Sequence, residues 1–189
     1  MQKIIISFIF VLCFANLFSQ DTCQIRTSTH YQNLKIINAE KVKCIAQNRP
    51  RPSLFFTFGI WCYPCRLHAK GAYDFAKEHN LNFYVVLIEN DKEKNYRTLK
   101  AIDFWENIDK NINILSVSNE YSSRPRAKNK KFLTEITPPE FENIDDMSKY
   151  ILVNNLGKVE MVTSYKDFGK DDWRDDSGIL ARKILPLIK

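Results

Sequence analysis

The stretch Ser53-Leu54-Phe55-Phe56-Thr57-Phe58-Gly59-Ile60-Trp61-Cys62-Tyr63-Pro64-Cys65-Arg66 carries the decisive pattern of the chain. Its first six residues are mostly aromatic or aliphatic with no polar alternation, the pattern of a strand buried on both faces. Beyond them Cys65, Ala69, Ala72, Phe75 and Ala76 recur at helical spacing and predict a helix to about Glu78 with one apolar face. Gly71 weakens that helix by roughly 1 kcal/mol relative to alanine. A strand that turns into a helix through Cys-x-x-Cys places Cys62 at the helix N-terminus, where unpaired N–H groups and the helix dipole favour an anion. The thiolate is the attacking form of cysteine, so Cys62 reads as a nucleophile. Cys65, about one turn further in, is placed to resolve a mixed disulfide. Pro64 is tolerated because first-turn N–H groups lack helical partners.

Working outward, Leu34, Ile36, Ile37, Val42 and Ile45 predict a helix over 36–47, broken by Asn48, Arg49, Pro50, Arg51 and Pro52. Phe83 to Ile88 reads as a second buried strand. Asp91 reads as the cap of a helix whose inward face is Tyr96, Leu99, Ile102, Trp105 and Ile108. Ile112 to Val117 is a third strand. Residues 119–147 are polar and basic around Pro138-Pro139 and are expected to form a loop with a short helix. Tyr150 to Val153 and Lys158 to Val162 flank a glycine-containing turn and predict a hairpin. A closing helix is expected from about Asp172, with Pro186 near its end. Strands alternating with helices, then a hairpin and a helix, define an α/β class with both parallel and antiparallel pairing.

The composition supports one domain with a proper core: 189 residues, 44% of them hydrophobic. The net charge of +6 is diluted among 28 basic and 22 acidic residues. The densest basic stretch, Arg124, Arg126, Lys128, Lys130 and Lys131, lacks interleaved aromatics and reads as a solvated loop, so nucleic-acid binding is not expected. Ile4 to Phe18 is an almost unbroken apolar run, shorter than the roughly 20 residues of a membrane span. It suits a signal peptide over 1–19, with an uncleaved anchor as the other reading. Export would remove Cys13 and leave Cys23, Cys44, Cys62 and Cys65 in an oxidising compartment. Cys23 and Cys44 then read either as a second disulfide or as two buried thiols.

Phe56 to Arg66 resembles the thioredoxin-superfamily motif, an aromatic strand leading to Trp-Cys-x-Pro-Cys. The order of elements after it is similar to that of exported TlpA-like thiol-disulfide oxidoreductases, over roughly residues 53–189. The resemblance implies a thioredoxin-like fold, with a central mixed sheet flanked by helices over 51–189 and an N-terminal extension over 20–50. It also implies reduction of protein disulfides through Cys62 and Cys65 in the periplasm or cell envelope, recharged by a membrane or envelope redox partner; no cofactor and no stable metal are expected. Trp61 and Tyr63 would form an apolar collar around the pair.

Two places depart from the family pattern. The cis-proline that usually precedes the hairpin falls on Met147 or Ser148, which makes these the substrate-binding candidates; Pro138 and Pro139 fill the role only if an insertion follows them. The glutamate usual three residues after the second cysteine is His68, set one turn from Cys65 either to tune a thiol or to sit as an ordinary satisfied histidine. The strand 54–58 carries no acid, so the buried carboxylate of thioredoxin proper has no counterpart there. Two rival readings stay open. One is a module in which Cys62, Cys65 and His68 hold copper or zinc, although no further ligands show the spacing of a closed zinc site. The other is a binding scaffold that keeps the motif without a substrate groove.

Overall fold

The computed structural model describes residues 23–92 and 94–188, so the 1–19 segment read as a signal peptide lies outside the described residues. Seven strands form one mixed sheet: β1 (Arg26–Thr27), β2 (Lys35–Ile37), β3 (Ser53–Phe58), β4 (Asn82–Leu87), β5 (Asn113–Val117), β6 (Tyr150–Val153) and β7 (Val159–Val162). Their spatial order is β1-β2-β5-β4-β3-β6-β7. β2, β5, β4 and β3 run parallel, whereas β1, β6 and β7 pair antiparallel to their neighbours.

All six residues of β3 are buried, because the strand lies between β4 and β6 with helices over both faces. Strand alternation sends Leu54, Phe56 and Phe58 to one side and Phe55 to the other. The first side packs under α2 (Tyr63–Glu78), α3 (Tyr96–Glu106) and the C-terminal segment. There Cys65, Ala69, Ala72 and Ala76 are fully buried, and their small size lets α2 lie close on the aromatic strand. The second side packs under α1 (Ala39–Gln47) and α4 (Pro125–Ile136). The result is an α/β/α three-layer arrangement.

Several expectations are corrected. The 36–47 helix begins only at Ala39, capped by the Asn38 side chain, and Ile36 and Ile37 belong to β2. The polar lead-in is therefore part of the sheet. α3 is capped by Asn95, not Asp91, whose carboxylate instead accepts from the Ser28 hydroxyl. Its buried face is Thr98, Ala101 and Trp105, leaving Tyr96 and Leu99 exposed. Trp105 sets that rotation: its ring meets Phe56, Phe58 and Phe83, and the positions four and seven residues before it turn inward with it. The 119–147 segment contains a full 12-residue helix, α4, and its Lys128 is buried rather than solvated. The closing helix starts at Ser177 (α5, Ser177–Ile179) and continues as a π turn over Leu180–Ile184 and a 3-10 turn over Leu185–Leu187. The hairpin forms as read, with Gly157 at φ +77° in its turn, where a side chain is disfavoured.

Cys23 and Cys44 are disulfide-bonded and tie the start of the described chain to α1. Cys23 lies by Lys35 and Asn113, at the starts of β2 and β5, the end of the sheet opposite to that reached by Cys62. The bridge closes 21 residues of sequence. A Cys23→Ser, Cys44→Ser variant is expected to lose about 3 kcal/mol of unfolding free energy in urea titration. The reduction potential of the Cys62–Cys65 pair should not move.

Candidate functional site

At the carboxyl end of β3 the ladder stops and the chain turns over Gly59-Ile60-Trp61 into α2. Clefts outside the carboxyl ends of parallel strands are the usual ligand position in such sheets. The Cys62 N–H donates to the Gly59 carbonyl at 2.9 Å and closes the turn. A side chain on Gly59 would put a Cβ 3.0 Å from the Trp61 indole, so glycine lets that ring fold back over the turn. The Arg66 guanidinium donates to the Ile60 carbonyl at 2.6 Å and lies 5.7 Å from the centre of the Tyr63 ring. Cys62 caps α2: its sulfur accepts from the Cys65 N–H at 3.2 Å. Cys62 and Cys65 are disulfide-bonded with Cα atoms 5.3 Å apart. Cys62 keeps 7% exposure and Cys65 none, so the outer sulfur alone can be reached.

Ser148, one of the two substrate-binding candidates with Met147, has φ +65°. Among the described residues there is no cis peptide bond. A left-handed serine costs on the order of 1 kcal/mol, and the surrounding bonds hold it there. The Lys149 N–H donates to Thr57 Oγ1 at 2.9 Å, and the buried Lys149 ammonium donates to the Thr163 carbonyl at 2.7 Å and pairs with Asp146. His68 grips the serine itself. Its Nε2 lies 2.9 Å from the Trp173 carbonyl and its Nδ1 2.9 Å from Ser148 Oγ. A carbonyl only accepts, so Nε2 carries the proton, and in the neutral ring Nδ1 accepts from the serine hydroxyl. His68 is thus the satisfied buried histidine of the two readings, bridging α2, Ser148 and the C-terminal segment. Both ring nitrogens are engaged, and among the described residues no group of three or more His, Cys, Asp or Glu side chains is gathered to hold a metal.

The structure also supplies a carboxylate that the sequence reading misses. Glu89, two residues beyond β4, is buried beneath the turn, and its Oε1 accepts from the Ile60 N–H. Its Oε2 has no hydrogen-bond partner. Burial pushes its pKa up from 4.5 to about 7, against the opposing pull of the Ile60 N–H and of Lys128. The Lys128 ammonium, buried on α4, donates to the Glu89 carbonyl at 2.9 Å and to Asn119 Oδ1 at 2.6 Å; burial lowers its pKa to about 8. The signal lay in Leu87-Ile88-Glu89, an acid at the end of an apolar strand adjoining the motif strand.

One cleft is lined by Cys62 and a second by the neighbouring Trp61. The first, of about 570 Å³, also takes in Pro64, His68, Met147, Ser148 and Trp173 among others, and so joins the cysteine, the histidine and both substrate-binding candidates. Tyr63 and Trp173 meet edge to face at its mouth, 6.1 Å between centres, and both are exposed. The other, of about 610 Å³, is lined by Trp61 and by residues that begin α3 and α4. A third cleft, of about 400 Å³, opens at the far end of the sheet, and its sulfur is locked in the Cys23–Cys44 bridge. No protein-family model matches the chain, and no curated protein matches it.

Glu89 gives a testable pH dependence. The folded protein holds this proton more tightly than the unfolded chain, so the stability it contributes is full below pH 4.5 and is lost as pH rises through about 7. Glu89→Gln removes that slope. Its unfolding free energy relative to wild type should rise by roughly 3 kcal/mol from acid to pH 8, read from urea titrations across pH.

Proposed function

We propose that the protein is an exported thiol-disulfide oxidoreductase with a thioredoxin-like fold, reducing protein disulfides through Cys62 and Cys65. The observation that carries this reading is the asymmetry of the pair: one sulfur caps a helix and opens onto an apolar cleft, while its partner is sealed beneath it. In the reduced protein the Cys62 thiolate attacks a substrate disulfide RS–SR′. The new bond is Cys62–S–S–R, and R′S⁻ leaves. The Cys65 thiolate then attacks the Cys62 sulfur, closing the intramolecular disulfide and expelling RS⁻. Two electrons pass from the pair to the substrate, so a dithiol partner, placed by this reading in the membrane or envelope, must return them.

The surrounding residues fit these steps. The Cys65 N–H already points at the Cys62 sulfur and would stabilise a thiolate there. Trp61, Tyr63, Leu67 and Trp173 leave apolar surface exposed around the opening, as expected where an extended or unfolded chain must dock. Met147 and Ser148 line the same cleft as Cys62 and would present backbone to that chain.

Equilibration of the mature protein with dithiothreitol and glutathione buffers, followed by thiol tagging, tests the proposal. The pair is expected to cycle with a reduction potential near −270 mV, the range of thioredoxin rather than the −120 mV or so of a strong oxidant. Cys65→Ser should trap a mixed disulfide with a peptide substrate, and Cys62→Ser should trap none. A pair that does not cycle overturns the proposal.

A further inference from the structure

The basic stretch at 124–131 has no role in the chemistry above, yet the fold carries part of it to the disulfide. Arg124 and Arg126 stand at the start of α4, and Arg97 stands in the first turn of α3. Both helices follow strands, β4 and β5, that lie on the opposite side of β3 from β6 and β7. The three arginines therefore meet beside Trp61 in the 610 Å³ cleft, with Pro125 and Ala127 as its apolar wall. Trp61 immediately precedes Cys62 in the chain, so this cleft lies one residue away from the cysteine that lines the other cleft.

The guanidinium groups are exposed and, among the described residues, make no ion pair and no side-chain hydrogen bond. Arg174 and Arg182 are neutralised by Asp172 and Asp171, and Arg49, Arg51 and Arg66 each donate to a neutral partner. Three like charges held together in one concavity repel one another and favour an anionic occupant. Guanidinium groups suit carboxylates through paired N–H donors, and an indole beside them offers an apolar platform. We propose that this cleft binds an acidic segment of polypeptide next to the disulfide that Cys62 attacks, its carboxylates meeting Arg97, Arg124 and Arg126 and an apolar side chain lying on Trp61. The proposal rests on the thiol-disulfide reading and adds to it a class of substrate.

The test uses two disulfide-linked peptides of equal length, one with glutamates flanking the cystine and one with glutamines in the same places. At low salt the reduced protein is expected to exchange with the glutamate peptide about tenfold faster. That ratio should collapse toward one near 1 M salt, where the screening length falls to about 3 Å. It should also collapse in an Arg97→Gln, Arg124→Gln, Arg126→Gln variant. Equal rates for the two peptides at low salt, or a ratio that survives the triple substitution, would overturn the proposal. Binding of the reduced and alkylated peptides, followed by calorimetry, keeps the test independent of exchange. If neither peptide exchanges but the glutamate form binds wild type about tenfold more tightly than the triple variant, the acidic site stands and the redox reading falls. Equal binding there sinks the site as well.

Discussion

A strand buried on both faces can become reactive only where its ladder ends, and in β3 the carboxyl end is the one that carries the cysteines. β3 is covered by helices above and below and is hydrogen-bonded to β4 and β6 on either side. Its backbone meets solvent-facing structure at its two ends, before Ser53 and beyond Phe58, and the second end leads into the cysteines. There the polar groups of the turn must be satisfied without a neighbouring strand. The Cys62 N–H bonds back to Gly59, the Ile60 carbonyl takes the Arg66 guanidinium, and the Ile60 N–H takes the buried carboxylate of Glu89. The position of Cys62 follows from these bonds together with the start of α2. The constraint that makes the core also builds the site.

The same end of the sheet is braced differently on its two sides. Toward β6, His68 and the Lys149–Asp146 pair hold Ser148 in a left-handed turn beside Cys62. Toward β4 and β5, the Lys128 ammonium joins the backbone at Glu89 to Asn119, and Asn119 in turn donates to the Asp91 carbonyl at 2.8 Å. The loops that follow β4 and β5 are thereby linked through one buried ammonium. Polar groups this deep are costly unless bonded, and His68, Lys149, Lys128 and Asn119 are each engaged more than once.

Much of this plan was legible in the sequence. The strand-turn-helix around Cys62, the second and third strands and the hairpin all rest on local patterns, namely unbroken apolar runs and a helical alanine stripe. The misread elements share a cause: their burial is decided by partners far away. The inner face of α4 includes Lys128 and Asn129, so its apolar period was broken by residues that pack as polar ties to other loops. β1 and β2 are two and three residues long; β1 pairs with β2, and β2 with β5, where Lys35 faces Leu115 far along the chain. The role of Glu89 could not be read from β3 alone, because the carboxylate comes from the neighbouring strand. His68 was found by its place on the helix, but its partners Ser148 and Trp173 lie 80 and 105 residues away.

The two ends of the strand order have a consequence for colloidal behaviour. A mixed sheet must stop somewhere, and an unpaired strand edge is a template on which another chain can add. Here one margin is the two-residue β1, both of its residues exposed, fastened nearby by the Cys23–Cys44 bridge. The other is β7, four residues long, whose pairing with β6 shifts register between Leu152 and Val153 and whose Glu160 pairs with Lys158. Short, irregular and charged margins offer little ladder for edge-to-edge growth. A molecule that leaves aromatic rings such as Trp61, Tyr63 and Trp173 exposed therefore does so without also offering a strand edge for another chain to extend.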